Sequence, residues 1–300
     1  MKKYLIILLL FLIILISSCK NKNNSDIEFI INDTLTNVDN KKAKIVLLYG
    51  QSNATGVANH HFLKEYYPDL YSKYQDGFDN VYIDYITERG SNNSNNSFIK
   101  CKFGCGANLD YYGPEMGISN VLHNAYPDDD IFIIKYSLGG SMLDNEWLNG
   151  NGRRGLLYNL AIDFTIANLE YLIQKGYQLD ILGICWMQGE SDAVNIRTAD
   201  RYEDNTLKLI KYFRHDLNKY YKDHLNFVDS LIAKVIFWTN YEKINAVKYN
   251  ISLKNHNYLI NGLDLDTTKE PIDNPDIAHY DSIDMIELGN RFGNCLIENQ

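Results

Sequence analysis

Apolar residues gather in short unbroken runs along this chain, set apart by polar stretches and by segments of helical period. Five runs read as strands: 44–49, ending in Gly50; 81–86; 131–137, followed by Gly139 and Gly140; 180–187; and 234–239. Runs that do not alternate polar with apolar residues are buried on both faces, the mark of a parallel sheet covered by helices. Three segments carry helical spacing. In 156–175 the apolar positions are Leu156, Leu157, Leu160, Phe164, Ala167, Leu169 and Leu172, and Gly176 stops the helix. The other two are 199–221 and 281–297. The alternation predicts an α/β fold: a three-layer α/β/α sandwich around a central, mainly parallel five-stranded sheet with right-handed crossovers. No repeat or linker divides it. The polar, Gly- and Asn-rich stretch 88–109 reads as a loop excursion that helps wall a site.

One apolar run stands outside this alternation. Lys2 and Lys3 precede thirteen apolar residues, 4–16, too few for a comfortable membrane-spanning helix but suited to a secretory signal. Ile16-Ser17-Ser18-Cys19 then resembles the lipobox of bacterial lipoproteins. The resemblance implies cleavage before Cys19, acylation of its sulfur, and a lipid bilayer as partner at the cell envelope, on a face the sequence does not specify. A plain signal peptide and a retained signal anchor are the alternatives. The expected organisation is a signal peptide at 1–18, a polar tether and lead-in at 19–40, and a catalytic domain at 41–300. Within the lead-in, 20–25 reads as tether, and 28–31 as either a short edge strand or loop.

Charge narrows the partners. The chain of 300 residues has a net charge of -9, and no dominant basic run is present to neutralise phosphates, so a nucleic-acid partner is not expected. Four cysteines follow Cys19. Cys101 and Cys105 are placed to bridge across a Gly-containing turn after export, or to remain free thiols; Cys185 and Cys295 read as core residues. The adjacent His60 and His61 lack facing spacing for a metal. The cysteine set has no second close pair for a zinc cluster, so no metal or cofactor is expected.

Chemistry gathers at the carboxyl ends of parallel strands, and four polar blocks lie at or beyond such ends: Gly50-Gln51-Ser52-Asn53, Gly139-Gly140-Ser141, Trp186 to Asp192 with Gln188-Gly189-Glu190 at its centre, and Asp276-Ile277-Ala278-His279. Their order resembles the SGNH, or GDSL-like, hydrolase superfamily, and most closely its carbohydrate-acetylesterase branch, which includes sialate O-acetylesterases and acetylxylan esterases of carbohydrate esterase family six. The resemblance spans about residues 44–297. Gln188 replaces the superfamily's usual Asn, as in that branch. It implies a flavodoxin-like fold and a serine esterase that removes acetyl groups from a carbohydrate without a cofactor.

The residue roles divide as follows. Ser52 follows a strand and a Gly where the chain turns, and serves as nucleophile. His279 is the base that takes its proton. Asp276 orients His279, with Glu190 as the competing acid. Three N–H donors are expected to face the oxyanion: the Ser52 backbone, Gly140 (or Gly139 in its place), and the Gln188 side chain held by neighbours such as Glu190. Gln51, Asn53 and Glu115 support these groups, Glu115 by pinning loops. Tyr111, Tyr112 and Trp147 read either as sugar-stacking walls or as buried loop aromatics. The rival readings are a sialate-specific esterase and an inactive carbohydrate-binding lipoprotein. Sugar identity and oligomeric state are not encoded legibly.

Overall fold

The computed structural model describes residues 28–233, 238–267, 269–270 and 276–300. The expectations for the signal peptide, Cys19 and the tether at 20–25 lie outside the described residues.

The chain is an α/β sandwich built on β1 (Lys41–Gly50), which runs up the middle of the sheet with its last eight residues buried. It pairs in parallel with β7 (Asp130–Ser137) on one side and β8 (Tyr177–Met187) on the other. Beyond β7 lies β3 (Val81–Thr87), also parallel. Beyond β8 come two four-residue strands, β9 (Phe227–Ser230) and β10 (Asn257–Ile260), again parallel. Two short strands, β4 (Asn92–Asn93) and β5 (Ile99–Lys100), pair antiparallel with β3 and bring the mixed sheet to eight strands among the described residues.

The expected five-stranded count is therefore corrected. The two outer parallel strands are four residues each and too brief to stand out as apolar runs, and β4 and β5 are two-residue pairings set by loop geometry. Of the expected strand at 234–239, residues 234–237 lie outside the described set, and Trp238 and Thr239 are not in a strand. The flavodoxin-like order is corrected too. That order places the first strand between the second and third parallel strands; here β1 lies between the third and fourth, β7 and β8.

Helices cover both faces, as binary patterning requires. On one side Tyr49 stacks on Phe213 at 5.1 Å and meets Thr165 at 2.5 Å. These partners lie on α7 (Ile196–Asp216) and α5 (Leu156–Gln174). α5 is long and apolar enough to cross a membrane, but 56% of its apolar window is buried inside this domain, so it serves as a core helix. On the other side α4 (Glu115–Ala125) packs against α9 (Ser282–Glu298). Among the described residues the other α-helices are α1 (Ser52–Thr55), α2 (His60–Tyr66), α3 (Pro68–Tyr74), α6 (Glu190–Ala193) and α8 (Tyr241–Ser252).

The lead-in from residue 28 is loop rather than edge strand, and it is docked. Phe29 packs edge-on to Phe164 at 5.3 Å, and the backbone N–H groups of Thr34 and Leu35 both donate to the Tyr171 hydroxyl. Two lysines are buried beneath the site. Lys135 donates to Glu115, to Thr55 O and to Cys105 O; Lys248 donates to Asp229, to Gln188 O and to Ser230 O. Burying an ammonium is costly unless its donors are all satisfied, and here each finds three acceptors.

Candidate active site

Register brings the polar blocks together. Gly50 is paired with Ser137 on one side and Met187 on the other, and Thr87 is paired with the same Ser137. Four neighbouring strands thus end at one level, and the residues that follow them, Ser52, Gly139 and Gly140, Gln188, and Glu88, share one edge. Gly50 is required for the turn into α1: its φ is +147°, and a Cβ there would lie 1.9 Å from Met187 O.

His279 comes from the loop before α9. Its Nδ1 is 2.6 Å from Asp276 Oδ2, and Asp276 also accepts from the Ala278 N–H, which fixes the carboxylate. Asn53 ties this loop to the turn that carries Ser52. Its side-chain oxygen accepts from Tyr280 N at 3.3 Å, and its nitrogen lies 3.5 Å from Ala278 O. The neighbour of Ser52 therefore grips both neighbours of His279. The Asn53 nitrogen also donates to Glu190 at 2.9 Å. Glu190 is buried, meets Asn53 and not His279, and its second oxygen has no partner among the described residues. The Ser52 hydroxyl makes no hydrogen bond among the described residues.

Gln188 is corrected as an oxyanion donor. The side chain is fully buried, and its amide nitrogen faces Asp192 at 2.6 Å, Ser141 O at 3.2 Å and Gln51 Oε1 at 3.3 Å. Two N–H bonds already have these three acceptors, so neither is free for a substrate. Its oxygen accepts from Tyr202 at 3.0 Å. The neighbour that holds it is Asp192, not Glu190. Burial raises the Asp192 carboxyl to about 6. The amide's work is to hold Gln51, whose oxygen also accepts from Gly189 N and Ser191 N. Gln188→Ala would take one hydrogen bond each from Asp192, Tyr202 and Gln51, which keep backbone partners in Leu143 N and Asp144 N, residue 188 O, and Gly189 N and Ser191 N. The expected result is a loss of roughly 1–3 kcal/mol in stability, the scale of a few net buried hydrogen bonds, read as a lower melting temperature in thermal denaturation.

The neighbouring glycines are told apart by Glu88. Its carboxylate accepts the Gly139 N–H at 2.8 Å, whereas the Gly140 N–H has no acceptor among the described residues and a Cβ at Gly140 would meet open space. Of the pair, Gly140 keeps a free donor. Glu88 and Arg89 both take left-handed backbone conformations, with φ of 48° and 59°, which cost energy in non-glycine residues.

Glu115 accepts from Gly113 N at 2.7 Å and from Lys135 at 2.8 Å, so it ties the loop before α4 to β7 through a buried pair. Of the three aromatics, Tyr111 is half-buried and lines a cavity of about 410 Å³ with His61, Glu65, Glu270, Asp276, His279 and Asp281. Tyr112 and Trp147 are corrected as sugar walls: both are wholly buried. Tyr112 donates to Ser282 O at 2.6 Å and Trp147 to Ser141 at 3.1 Å. Cys101 and Cys105 are free, buried thiols rather than a disulfide; Cys101 accepts from Ser119, and burial pushes Cys105 up to about 12. Glu88, Asp192, Lys135 and Lys248 are the supporting residues that motif reading misses. A charged residue inside or just after an apolar strand is the available signal for Lys135 and Glu88; Lys248, on α8, and Asp192, on α6, carry no such mark.

Fold and site define a three-layer α/β protein with a serine, a histidine–aspartate pair and, among the described residues, a backbone N–H without an acceptor at the carboxyl edge of its parallel strands. The chain belongs to the family described as carbohydrate esterase, sialic acid-specific acetylesterase, which matches residues 42–298. A probable carbohydrate esterase of Arabidopsis thaliana is 32% identical over 108 residues, 35% of this chain and 37% of that protein; the chain thus matches little more than a third of the length of that curated relative. Among solved structures, an Arabidopsis thaliana protein superimposes with a TM-score of 0.65 at 20% identity, over 85% of this chain and 98% of its own. The protein NanS gives 0.64 at 16%, over 87% and 98%. A carbohydrate acetylesterase from Xanthomonas citri gives 0.57 at 13%, over 86% and 56%. These likenesses show a shared fold.

Proposed function

We propose that this chain is a serine esterase that hydrolyses O-acetyl esters on carbohydrates through an acetyl-serine intermediate. The observation that carries the reading is the 2.6 Å contact of His279 Nδ1 with Asp276, on a loop that Asn53 fastens to the turn holding Ser52. A carboxylate on Nδ1 fixes the tautomer that leaves the Nε2 lone pair free to accept a proton. Ser52 Oγ attacks the acetyl carbonyl as His279 takes its proton. The Ser52 and Gly140 N–H groups meet the developing oxyanion. The sugar alcohol leaves with the proton from His279. Water, deprotonated by His279, then cleaves the acetyl-serine to acetate and free Ser52. Asp276 orients the imidazole, and Glu190 acts through Asn53.

The cavity beside His279 favours a neutral sugar. Its described lining includes Glu65, Glu270, Asp276 and Asp281 and neither Lys nor Arg, so a sugar carboxylate would meet like charge. Acetate release over a panel of O-acetylated xylo-oligosaccharides, other neutral acetylated sugars and O-acetylated sialic acids tests both levels. Release from neutral substrates is expected to be fastest. Release from sialic acids alone overturns the neutral preference, and release from none overturns the esterase. Because every step uses an alcohol, an imidazole and N–H donors, dialysis against a chelator should leave the rate of acetate release unchanged.

The lipid anchor is part of the same proposal and rests on Lys2, Lys3, the apolar run and Cys19. In a bacterial host, Cys19→Ala should move the protein from the membrane fraction to the soluble one. Mass spectrometry that finds Cys19 unmodified in the mature wild-type chain would count against it.

A further inference from the structure

We propose that His60, His61 and Asp110 form a binding site for a divalent transition ion of the zinc class, at the rim of the cavity beside His279. One ligand atom from each residue lies within 4.8 Å of the other two. His61 Nε2 and Asp110 Oδ1 are 3.0 Å apart, close to the ~3.3 Å edge of a tetrahedral N/O ligand set with bonds near 2.0 Å. The His60 ring adds a second, independent observation. Its Nε2 faces Leu109 O at 3.2 Å and must donate there, which leaves the lone pair on Nδ1; that atom is shielded from solvent and has no partner among the described residues. Ligating histidines keep this arrangement, one N–H given to a carbonyl and the other nitrogen left for the metal.

The three residues are held in place by their backbone. β2 (Ala58–Asn59) and β6 (Tyr111–Tyr112) pair antiparallel, and His60 N donates to Asp110 O at 3.1 Å just beyond the ribbon. Asn59 caps His61 N, and Asn108 accepts from Asp110 N, each at 2.8 Å. The His60 ring stacks on Phe103 at 5.3 Å. Little ordering is left for an ion to impose. Two imidazoles with one carboxylate select zinc, nickel or copper over magnesium or calcium, which take oxygen sets. His61 also lines the cavity beside His279.

The site does not depend on the esterase reading, and its test does not read activity. The full chain, stripped by chelator and dialysed, is titrated with ZnCl₂ in a calorimeter, and with CoCl₂ while visible ligand-field absorption is followed. Expected are one ion bound per chain and a cobalt spectrum of low coordination number. His61→Ala and Asp110→Asn should each weaken zinc binding by roughly 10- to 100-fold or more, as loss of a metal-site partner does. Both side chains are about 60% exposed (59% and 61%), so both variants should fold, which circular dichroism checks. No binding by the wild-type chain overturns the site. So does full-affinity binding by either variant, which would place the ion elsewhere.

Discussion

Ser52→Ala should cut kcat for acetate release by about 10⁶-fold, the scale seen when a serine nucleophile is removed from an intact triad, and should leave the melting temperature unchanged. The two halves of this expectation come from one geometry. Ser52 sits at the first residue of α1, and its hydroxyl bonds to nothing among the described residues, so its removal costs the fold no hydrogen bond. The turn that carries it is held by other groups: Gln51 N donates to Met187 O at 2.9 Å, and Asn53 is tied to Glu190 and to Tyr280. Chemistry and stability are separable at this position. Mass spectrometry of wild type quenched during turnover should show an acetyl group on the peptide containing Ser52, and none in the variant. A Ser52→Ala protein that keeps normal turnover would falsify the serine-esterase reading outright.

Asp276→Asn should lower kcat by about 10⁴-fold, as the corresponding change does in the serine-protease example, where the imidazole is held in the wrong tautomer. Glu190→Gln should be milder in turnover and should act on stability instead. Asp276 meets His279 Nδ1 directly and is half exposed, so an amide there changes the proton inventory and little else. Glu190 is buried and, among the described residues, hydrogen-bonds Asn53 alone. The measurement is kcat for both variants on one acetyl ester, beside thermal melts. Near-normal turnover in Asp276→Asn with a loss of orders of magnitude in Glu190→Gln would transfer the orienting role to Glu190.

Local pattern carried far in this chain. The runs at 44–49, 131–137 and 180–187 became β1, β7 and β8 because an unbroken apolar stretch has no solvent face to offer and must lie between helices. The same runs end in the polar blocks, so the edge that Ser52, Gly140 and Gln188 share is legible in the sequence. Local pattern failed where a strand was too short to show a period, as in β9 and β10, and where exposure had to be known. Tyr112 and Trp147 look the same in sequence as Tyr111, yet only Tyr111 reaches the cavity, since which side of a loop faces the core depends on what packs against it.

The sequence by itself determined the fold class, the parallel core, the family and the order of the chemical groups along the chain, because each of these is written in periodicity and short-range spacing. The tertiary structure decided which polar atoms are already engaged. Gln188 was expected to donate to an oxyanion, but Asp192, only four residues on, takes its N–H because both are sealed in the core, where an unpaired amide or carboxylate is costly. Glu88, fifty-one residues before Gly139, occupies that glycine's N–H and leaves Gly140 as the one of the pair without an acceptor among the described residues. Asp110 stands forty-nine residues from His61 and turns a pair without metal spacing into a three-ligand cluster. Hydrogen-bond satisfaction and ligand sets are properties of volume, and residues distant along the chain enter them only when strand register and packing set the distances.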